Sequence, residues 1–434
     1  MSEEIELKFI VHPDARAALA KRISAGEGEH AGPIPLTNIY YETPDNTLRR
    51  HGIGLRIRRY GDRYEMTAKT AGRVVGGLHQ HPEYNVDLPS GELDLSLLPA
   101  DIWPPGVTAD SLLPRLAALF RTDYTREKWV VTYNQSRIEI AYDQGEVTAG
   151  ELSEPIGELE LELLEGNTAD LLAFAQTLST ESGLRLGSLS KAARGYHLAK
   201  GNPRRDVRPL PLLKPAAKAT VEQGMVAALT LALGHWQYHE ELWLTGNAEA
   251  RRSILEGITL IRETFVVMGN MVPRKATTGL RSQLTILAAD IEEAGTDPAQ
   301  LCYSAAWLQC KLALTSWLES GGWRGSIDEQ ARRKLAGSYK RFADQMLARC
   351  GAELKVAFGR TLSREEYAQQ LPRLEKRLMA FHLLSGAYPA AAVVSYIAHW
   401  KGLQQAILQP ETSDTELVRR QAVTQQGFWR HNKP

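Results

Sequence analysis

A chain of 434 residues with 43% hydrophobic and 24% charged side chains has enough apolar material for two or more globular cores. The formal net charge is zero, but residues 1–200 hold 21 Lys and Arg against 29 Asp and Glu, which leaves 30 against 22 for the rest. The three cysteines are odd in number and have no CxxC spacing, which argues against a disulfide framework or a zinc site. We predict two domains of opposite net charge.

The N-terminus, MSEEIELKF, carries acids where a secretory signal needs a basic stretch. No apolar run reaches the roughly 18 residues that a membrane-spanning helix requires. We therefore expect a cytoplasmic protein with no membrane partner. No nucleic-acid partner is expected either.

The first half alternates polar and apolar residues with a period of two, which predicts strands with one buried face. The predicted strands are residues 4–9, 55–58, 63–69, 83–88, 126–133, 137–143 and 158–163. Two helices are predicted near residues 12–24 and 167–182. His79 and His81 lie in a glycine-rich stretch, and such an isolated pair is typical of a surface loop. The first half is predicted to be an antiparallel β domain.

Four prolines between residues 203 and 215 predict an extended linker, and the period changes to 3.6 soon after it. We predict helices at residues 227–243, 248–271, 300–319, 329–350 and 363–384, with a buried helix at 389–400. The predicted domains are therefore residues 1–201, a Pro-rich linker at 202–217, and an all-α bundle at 218–434.

The polar positions of the predicted strands carry charges of both signs. They are Glu4, Glu6, Lys8, Arg56, Arg58, Glu65, Lys69, Arg126, Lys128, Arg137, Glu139, Asp143, Glu158, Glu160 and Glu162. Solvated outer faces are the ordinary interpretation of such a pattern. However, carboxylates spaced two apart repel one another unless cations lie among them. We therefore predict that the sheet closes into a barrel with these faces directed inward.

An interior of this kind suits phosphoryl transfer. Carboxylates can hold hard divalent cations, Mg²⁺ or Mn²⁺, while Lys and Arg bind phosphate oxygens. This reaction chiefly needs charge neutralisation and in-line positioning. The sequence contains no GxSxG, HExxH or P-loop motif that would indicate a competing chemistry.

Several of these segments resemble the CYTH superfamily, the triphosphate tunnel metalloenzymes. Residues 4–8, Glu-Ile-Glu-Leu-Lys, match its ExExK signature. Further matches follow in order at residues 40–44, 54–58, 67–69, 158–163 and 190–196. One departure is Glu83-Tyr84-Asn85, where the family carries two acids and this chain has an amide at Asn85.

The resemblance implies an eight-stranded antiparallel tunnel with flanking helices. With the charge pattern, it implies metal ligands at Glu4, Glu6, Glu83, Glu158, Glu160 and Glu162. Substrate-binding residues are expected at Lys8, Arg56, Arg58, Lys69, Arg126, Lys128, Arg137 and Lys191. Catalytic roles are expected for Lys8, Glu6 and Glu160.

The helical half resembles a divergent CHAD domain, which implies polyphosphate as a partner of that half. Basic clusters at residues 332–334, 340–341 and 373–377 are candidates to bind it, although such clusters are usually solvated helix faces.

The favoured hypothesis is metal-dependent hydrolysis of inorganic tripolyphosphate to pyrophosphate and phosphate. One alternative is a nucleoside or thiamine triphosphatase, or a class IV adenylyl cyclase. The other is a polyphosphate-binding protein without catalysis.

Overall fold

The computed structural model describes residues 2–26, 28–293, 295–411 and 414–430. Within them, the first half of the chain is mostly β-strand. The strands are β1 (Ser2–Val11), β2 (Glu29–Glu42), β3 (Gly54–Tyr60), β4 (Arg63–Lys69), β5 (Arg73–Val75), β6 (Leu78–Leu88), β7 (Ala117–Tyr133), β8 (Ser136–Ala149), β9 (Leu152–Glu165) and β10 (Leu184–Leu186).

Five α-helices accompany these strands, and the described chain from Val221 onward is mainly helical. The helices are α1 (Arg16–Ser24), α2 (Thr47–Arg50), α3 (Ala109–Leu112), α4 (Thr168–Leu178), α5 (Lys191–Ala199), α6 (Val221–Leu244), α7 (Ala250–Val267), α8 (Thr278–Glu292), α9 (Pro298–Cys302), α10 (Ala305–Ser320), α11 (Glu329–Leu335), α12 (Tyr339–Ala357), α13 (Arg364–Leu384), α14 (Ala390–Leu408) and α15 (Thr415–Thr424).

Eight of the strands close into an antiparallel barrel, as the sequence predicts. Their order is β1-β9-β8-β7-β2-β3-β4-β6, and pairing of β1 with β6 closes the ring. The short strands β10 and β5 extend the sheet beside β1 and β6. Because the ring is closed, the eight strands leave no long unpaired edge.

Most of the polar positions of the barrel strands face the interior, which confirms the predicted orientation. On β1, Lys8 is 2% exposed inside the barrel, whereas Leu7 and Phe9 pack outward in an apolar cluster with Leu159 and Leu161 of β9. The helices α1 and α4 contribute to the same outer cluster. Burial of this outer face therefore forces the charged face inward.

The alternation did not reveal β2, although it is 14 residues long. Its first half is exposed and contains Gly32, Pro33 and Pro35, residues that usually interrupt a strand. A register shift between Ala31 and Ile34 accommodates them in the pairing with β7. These residues obscure the strand pattern of β2, although the barrel needs this strand for closure.

The chain divides into two compact units that are not contiguous in sequence. One, the barrel unit, comprises the chain up to Asp206 together with Glu292–Ser320. The other, the helical unit, comprises Val207–Ile291 and the chain from Gly321 onward. The first break lies inside the predicted linker, but the sequence boundaries place 292–320 in the helical half.

Residues 292–320 pack against the barrel through α10. Leu308 and Leu312 are fully buried in the same apolar cluster as Leu7 and Phe9. The Gln309 side-chain amide donates a hydrogen bond to the Ser179 carbonyl at 3.0 Å. Helix α10 is therefore part of the barrel unit's core.

The helical unit contains the other long helices. Helix α6 packs on α7 and α12, and α13 packs on α7, α12 and α14. The predicted helix at 329–350 is interrupted between α11 and α12, where Ser338 caps α12 by accepting a hydrogen bond from the Arg341 amide. The described residues include no helix with the length and hydropathy needed to cross a membrane.

Candidate active site

The inward faces of the barrel strands enclose a cavity of about 370 Å³, which we call the tunnel cavity. All but two of the predicted site residues line it. They are Glu4, Glu6, Lys8, Arg56, Arg58, Lys69, Glu83, Arg126, Lys128, Glu160, Glu162 and Lys191.

A group of buried ion pairs surrounds Glu160 on β9. Lys8 of β1 donates a short hydrogen bond to Glu160, Arg126 of β7 contacts it at 2.6 Å, and Lys191 of α5 contacts it at 2.9 Å. Burial alone would raise the pKa of Glu160, but Lys191, Lys8 and Arg126 together lower it well below its usual value. Glu160 is therefore a fixed anion that orients three cations.

Two further carboxylates join this group from behind. Asp143 of β8 accepts hydrogen bonds from Arg126 at 2.7 and 2.6 Å, and Lys191 lies 2.7 Å from it. Glu158 of β9 is fully buried and contacts both Lys191 and Arg194 at 2.7 Å. We call these seven residues the ion-pair cluster: Lys8, Arg126, Asp143, Glu158, Glu160, Lys191 and Arg194.

A second group of carboxylates has a different balance of charge. Glu6, Glu162 and Glu139 occupy directly paired positions on the neighbouring strands β1, β9 and β8. We call them the acidic row. Burial, reinforced by Glu4, Glu139, Glu6 and Glu83, raises the pKa of Glu162 to about 7. The acidic row is therefore an interior region with excess negative charge.

The distances between carboxylate oxygens and the number of neighbouring cations favour different carboxylates as metal ligands. Among the described residues, Asp143, Glu158 and Glu160 can each offer an oxygen within 4.8 Å of the others. However, the four cations of the ion-pair cluster already neutralise these three acids. The acidic row faces the cavity with fewer cations, and its carboxylate oxygens are the donors that Mg²⁺ and Mn²⁺ prefer. The chemistry of the acidic row therefore fits a divalent metal better.

The opposite wall is formed by β3, β4 and β6. The Arg58 side chain donates a hydrogen bond to the Asn38 side-chain oxygen at 2.9 Å, and Arg56 lies 3.7 Å from Glu83. Lys69 donates a short hydrogen bond to Glu4. Lys128, on β7, lies 2.8 Å from Glu139. These contacts hold cations at the cavity surface, where phosphate oxygens could bind.

Two predicted site residues do not line the cavity. The Arg137 side chain is 45% exposed and contacts Glu165 at 3.4 Å. Arg137 has the same parity as Glu139 but lies near the end of β8, where it pairs with Glu165 after a register shift that skips Leu164 of β9. Glu158 lies behind the cavity surface in the ion-pair cluster.

The prediction that His79 and His81 lie in a surface loop is wrong. Both residues lie on β6 and line the cavity, and His79 is 3% exposed. Asn85, on the same strand, accepts a hydrogen bond from the Thr67 hydroxyl at 2.8 Å. The glycines before His79 form the turn from β5 into β6, and the strand begins earlier than the alternation suggested.

Other residues of the site were absent from the predicted set. Arg194 lies one helical turn after Lys191 on α5, a spacing that could have indicated a shared face. Tyr124 lines the cavity two residues before Arg126, on the same face of β7. No sequence pattern singled out Arg49 of α2, which also lines the cavity.

Comparison with known proteins identifies two domain families in the chain. The CYTH domain model matches residues 2–196, and the CHAD domain model matches residues 227–409. An inorganic triphosphatase of Haemophilus influenzae is 39% identical over 199 residues, covering 46% of this chain and 55% of that protein. The chain thus spans about half the length of this curated relative.

Solved structures resemble each half separately. One is a Hippeastrum protein described as an adenylyl cyclase with a dominant triphosphatase activity. It is 19% identical with a TM-score of 0.35, and the match covers 44% of this chain and 95% of that protein. The CHAD domain of Ricinus communis is 15% identical with a TM-score of 0.36, and the match covers 51% of this chain and 91% of that domain. Both TM-scores are low, so the assignment rests on the family matches. The chain combines a CYTH domain at residues 2–196 with a CHAD domain at residues 227–409.

Proposed function

We propose that the tunnel cavity hydrolyses inorganic tripolyphosphate to pyrophosphate and phosphate with Mg²⁺ or Mn²⁺. The observation that carries the proposal is the acidic row placed beside cation-bearing walls in one enclosed cavity. A linear polyanion and a divalent cation would satisfy both sets of charges at once. The similarity of the CYTH half to an inorganic triphosphatase supports the same substrate class.

Specific residues would hold each component. Glu162 and Glu139, with Glu4 and Glu83 nearby, would hold the metal, which when bound supplies neutralisation of phosphate charge. Lys8, Arg126, Lys128 and Lys191 would bind phosphate oxygens on one side, and Arg56, Arg58 and Lys69 on the other. Glu160 would keep three of these cations in place.

In the proposed reaction, water attacks the terminal phosphorus in line with the bond to the bridging oxygen. The bridging P–O bond breaks, and pyrophosphate leaves with the electron pair while the water loses a proton. Glu6, which lines the cavity with its carboxylate 3.7 Å from Lys8, would accept that proton. Lys8 would stabilise the negative charge on the transferred group.

The test measures phosphate release by the full chain from tripolyphosphate, ATP and thiamine triphosphate, with Mg²⁺, Mn²⁺ or EDTA. We expect turnover of tripolyphosphate with either metal and none with EDTA. We expect Glu6→Gln to lower kcat by on the order of 100-fold, which is typical for loss of a general base. Glu3→Gln is the matched control, because Glu3 lies on the same strand but is exposed outside the barrel.

Each alternative predicts another result in the same assay. Faster turnover of ATP or thiamine triphosphate than of tripolyphosphate would replace the proposed substrate. Cyclic nucleotide from ATP would indicate a cyclase. Binding of tripolyphosphate without hydrolysis under any metal condition would favour the non-catalytic alternative. Polyphosphate binding by the CHAD domain stays a prediction.

A further inference from the structure

The cations of the tunnel cavity differ in whether a carboxylate already neutralises them. Lys8, Lys69, Arg126, Lys128 and Lys191 each have a carboxylate oxygen within hydrogen-bonding distance, and Arg56 lies 3.7 Å from Glu83. Among the described cavity residues, Arg49 and Arg58 are the arginines that form no ion pair. Arg58 is held by Asn38. The Arg49 guanidinium therefore has no carboxylate partner among the described residues.

The backbone and an aromatic ring hold Arg49 at the cavity surface. Glu42, which is 3% exposed, accepts hydrogen bonds from the amides of Leu48 and Arg49 at 3.0 and 2.9 Å. It also accepts one from the Tyr196 hydroxyl at 2.8 Å. The Arg49 guanidinium carbon lies 4.6 Å from the centre of the Tyr196 ring. Glu42 thus fixes α2 against α5 through hydrogen bonds that do not engage the Arg49 guanidinium.

The position of Arg49 distinguishes it from the other cations of the cavity. Its side chain is exposed, whereas Lys8, Arg126 and Lys191 are 2%, 9% and 7% exposed. Arg49 therefore lies at the rim of the cavity, where a bound chain would meet solvent. Stacking on Tyr196 orients the planar guanidinium and leaves its N–H groups free to bind oxygens at the rim.

We propose that Arg49 is a further substrate-binding residue, which holds the oxygens of the phosphate nearest the rim of the tunnel cavity. This inference rests on the proposed function, since it assumes that a short polyphosphate occupies the cavity. Guanidinium binds phosphate through two parallel hydrogen bonds, and such charge-assisted contacts are stronger than neutral ones. Arg49 contributes to binding of the chain and not to cleavage of the bond.

The test compares Arg49→Gln with Arg50→Gln in the full chain. Arg50 is the matched control because it is the next residue of the same short helix, carries the same charge and pairs with Asp45 at 2.7 Å. With tripolyphosphate and Mg²⁺, we expect Arg49→Gln to raise KM about tenfold and to leave kcat within about twofold. Arg50→Gln should leave both constants within about twofold. Arg49→Lys should recover part of the loss, because it restores the charge without the planar fork.

Two results would overturn the inference. One is an unchanged KM in Arg49→Gln while the wild type hydrolyses tripolyphosphate. The other is an equal rise in Arg50→Gln, which would indicate a general effect of net charge. If the wild type hydrolyses nothing, the proposed function fails instead. Calorimetric binding of tripolyphosphate in EDTA then decides the inference, with weaker binding expected for Arg49→Gln alone and equal binding contradicting it.

Discussion

Glu263 of α7 is a buried carboxylate in the helical unit, far in sequence from the proposed site. It is 4% exposed, and its nearest ion-pair contact is Arg377 at 3.9 Å. Burial outweighs the attraction of Arg377, Lys376 and Arg281 and raises the pKa of Glu263 to about 7. Arg377 is better satisfied by Glu353, at 2.7 Å. Glu263 is therefore an acid that the folded state prefers to keep protonated.

This raised pKa predicts a pH-dependent stability. The folded state binds the extra proton, so stability is fully present below the unfolded pKa near 4.5 and is lost as pH rises through about 7. We expect Glu263→Gln to raise the free energy of unfolding by roughly 1–3 kcal/mol at pH 8 and to change it little at pH 4. Denaturant midpoints at the two pH values check this.

The control for this prediction is Glu375→Gln, which changes an exposed carboxylate on α13. Its effect on the midpoint should be small and similar at both pH values. A gain from Glu263→Gln that is larger at pH 4 than at pH 8 would contradict the assigned cause.

A glycine permits close packing of α5 against the barrel wall. A Cβ atom added at Gly195 would lie 2.1 Å from the Phe120 ring of β7. Phe120 is 4% exposed and stacks on Tyr40, so it has little room to move. The close packing keeps Lys191 and Arg194 of the same helix within reach of Glu158.

We expect Gly195→Ala to destabilise the protein and to lower activity, although Ala normally favours a helix by up to about 1 kcal/mol over Gly. The added methyl group forces α5 away from β7, and Lys191 moves with the helix. Gly234→Ala is the matched control, because Gly234 lies in α6 with nothing within 4 Å of the added Cβ. That variant should be slightly stabilised. Thermal midpoints and kcat/KM check both, and equal behaviour of the two variants would refute the packing argument.

At the scale of the whole molecule, the barrel unit takes a helix from a distant part of the chain. Residues 292–320 lie inside the range matched by the CHAD model, yet Leu308 and Leu312 are buried with the barrel's outer apolar face. The Arg73 guanidinium of β5 also lies 2.6 Å from Glu319 at the end of α10. A fragment ending at the predicted boundary, residue 201, would lack this cover.

We expect Leu312→Ala to destabilise the barrel unit by about 2–4 kcal/mol, the usual effect of emptying a buried leucine site. Hydrogen exchange should then show lower protection in β1 and β9. The control is Val356→Ala, because Val356 is 84% exposed on α12. Unchanged protection of β1 and β9 in Leu312→Ala would mean that α10 is not part of the barrel core.

Alternation of charged and apolar residues predicted most of the barrel strands and the inward direction of their charges, and the family resemblance supplied the count of eight strands. This succeeds for Lys8 and Glu160 because each strand has one apolar face that must be buried, and the period of two then sets the other face. The helical half was equally accessible, since long segments with a period of 3.6 are the strongest signal in a sequence. The family resemblance of the two halves was likewise confirmed.

The sequence pattern could not predict contacts that depend on strand register or on the packing of segments distant in sequence. Lys8 and Glu160 are separated by 152 positions, and their contact follows from the pairing of β1 with β9. Arg137 has the parity of Glu139 but lies near the end of β8 and outside the cavity, and residues 292–320 join the barrel although local composition resembles their helical neighbours. Periodicity encodes which face of an element is buried. It carries no information about which partner covers that face, because the partner is chosen by packing across the folded chain.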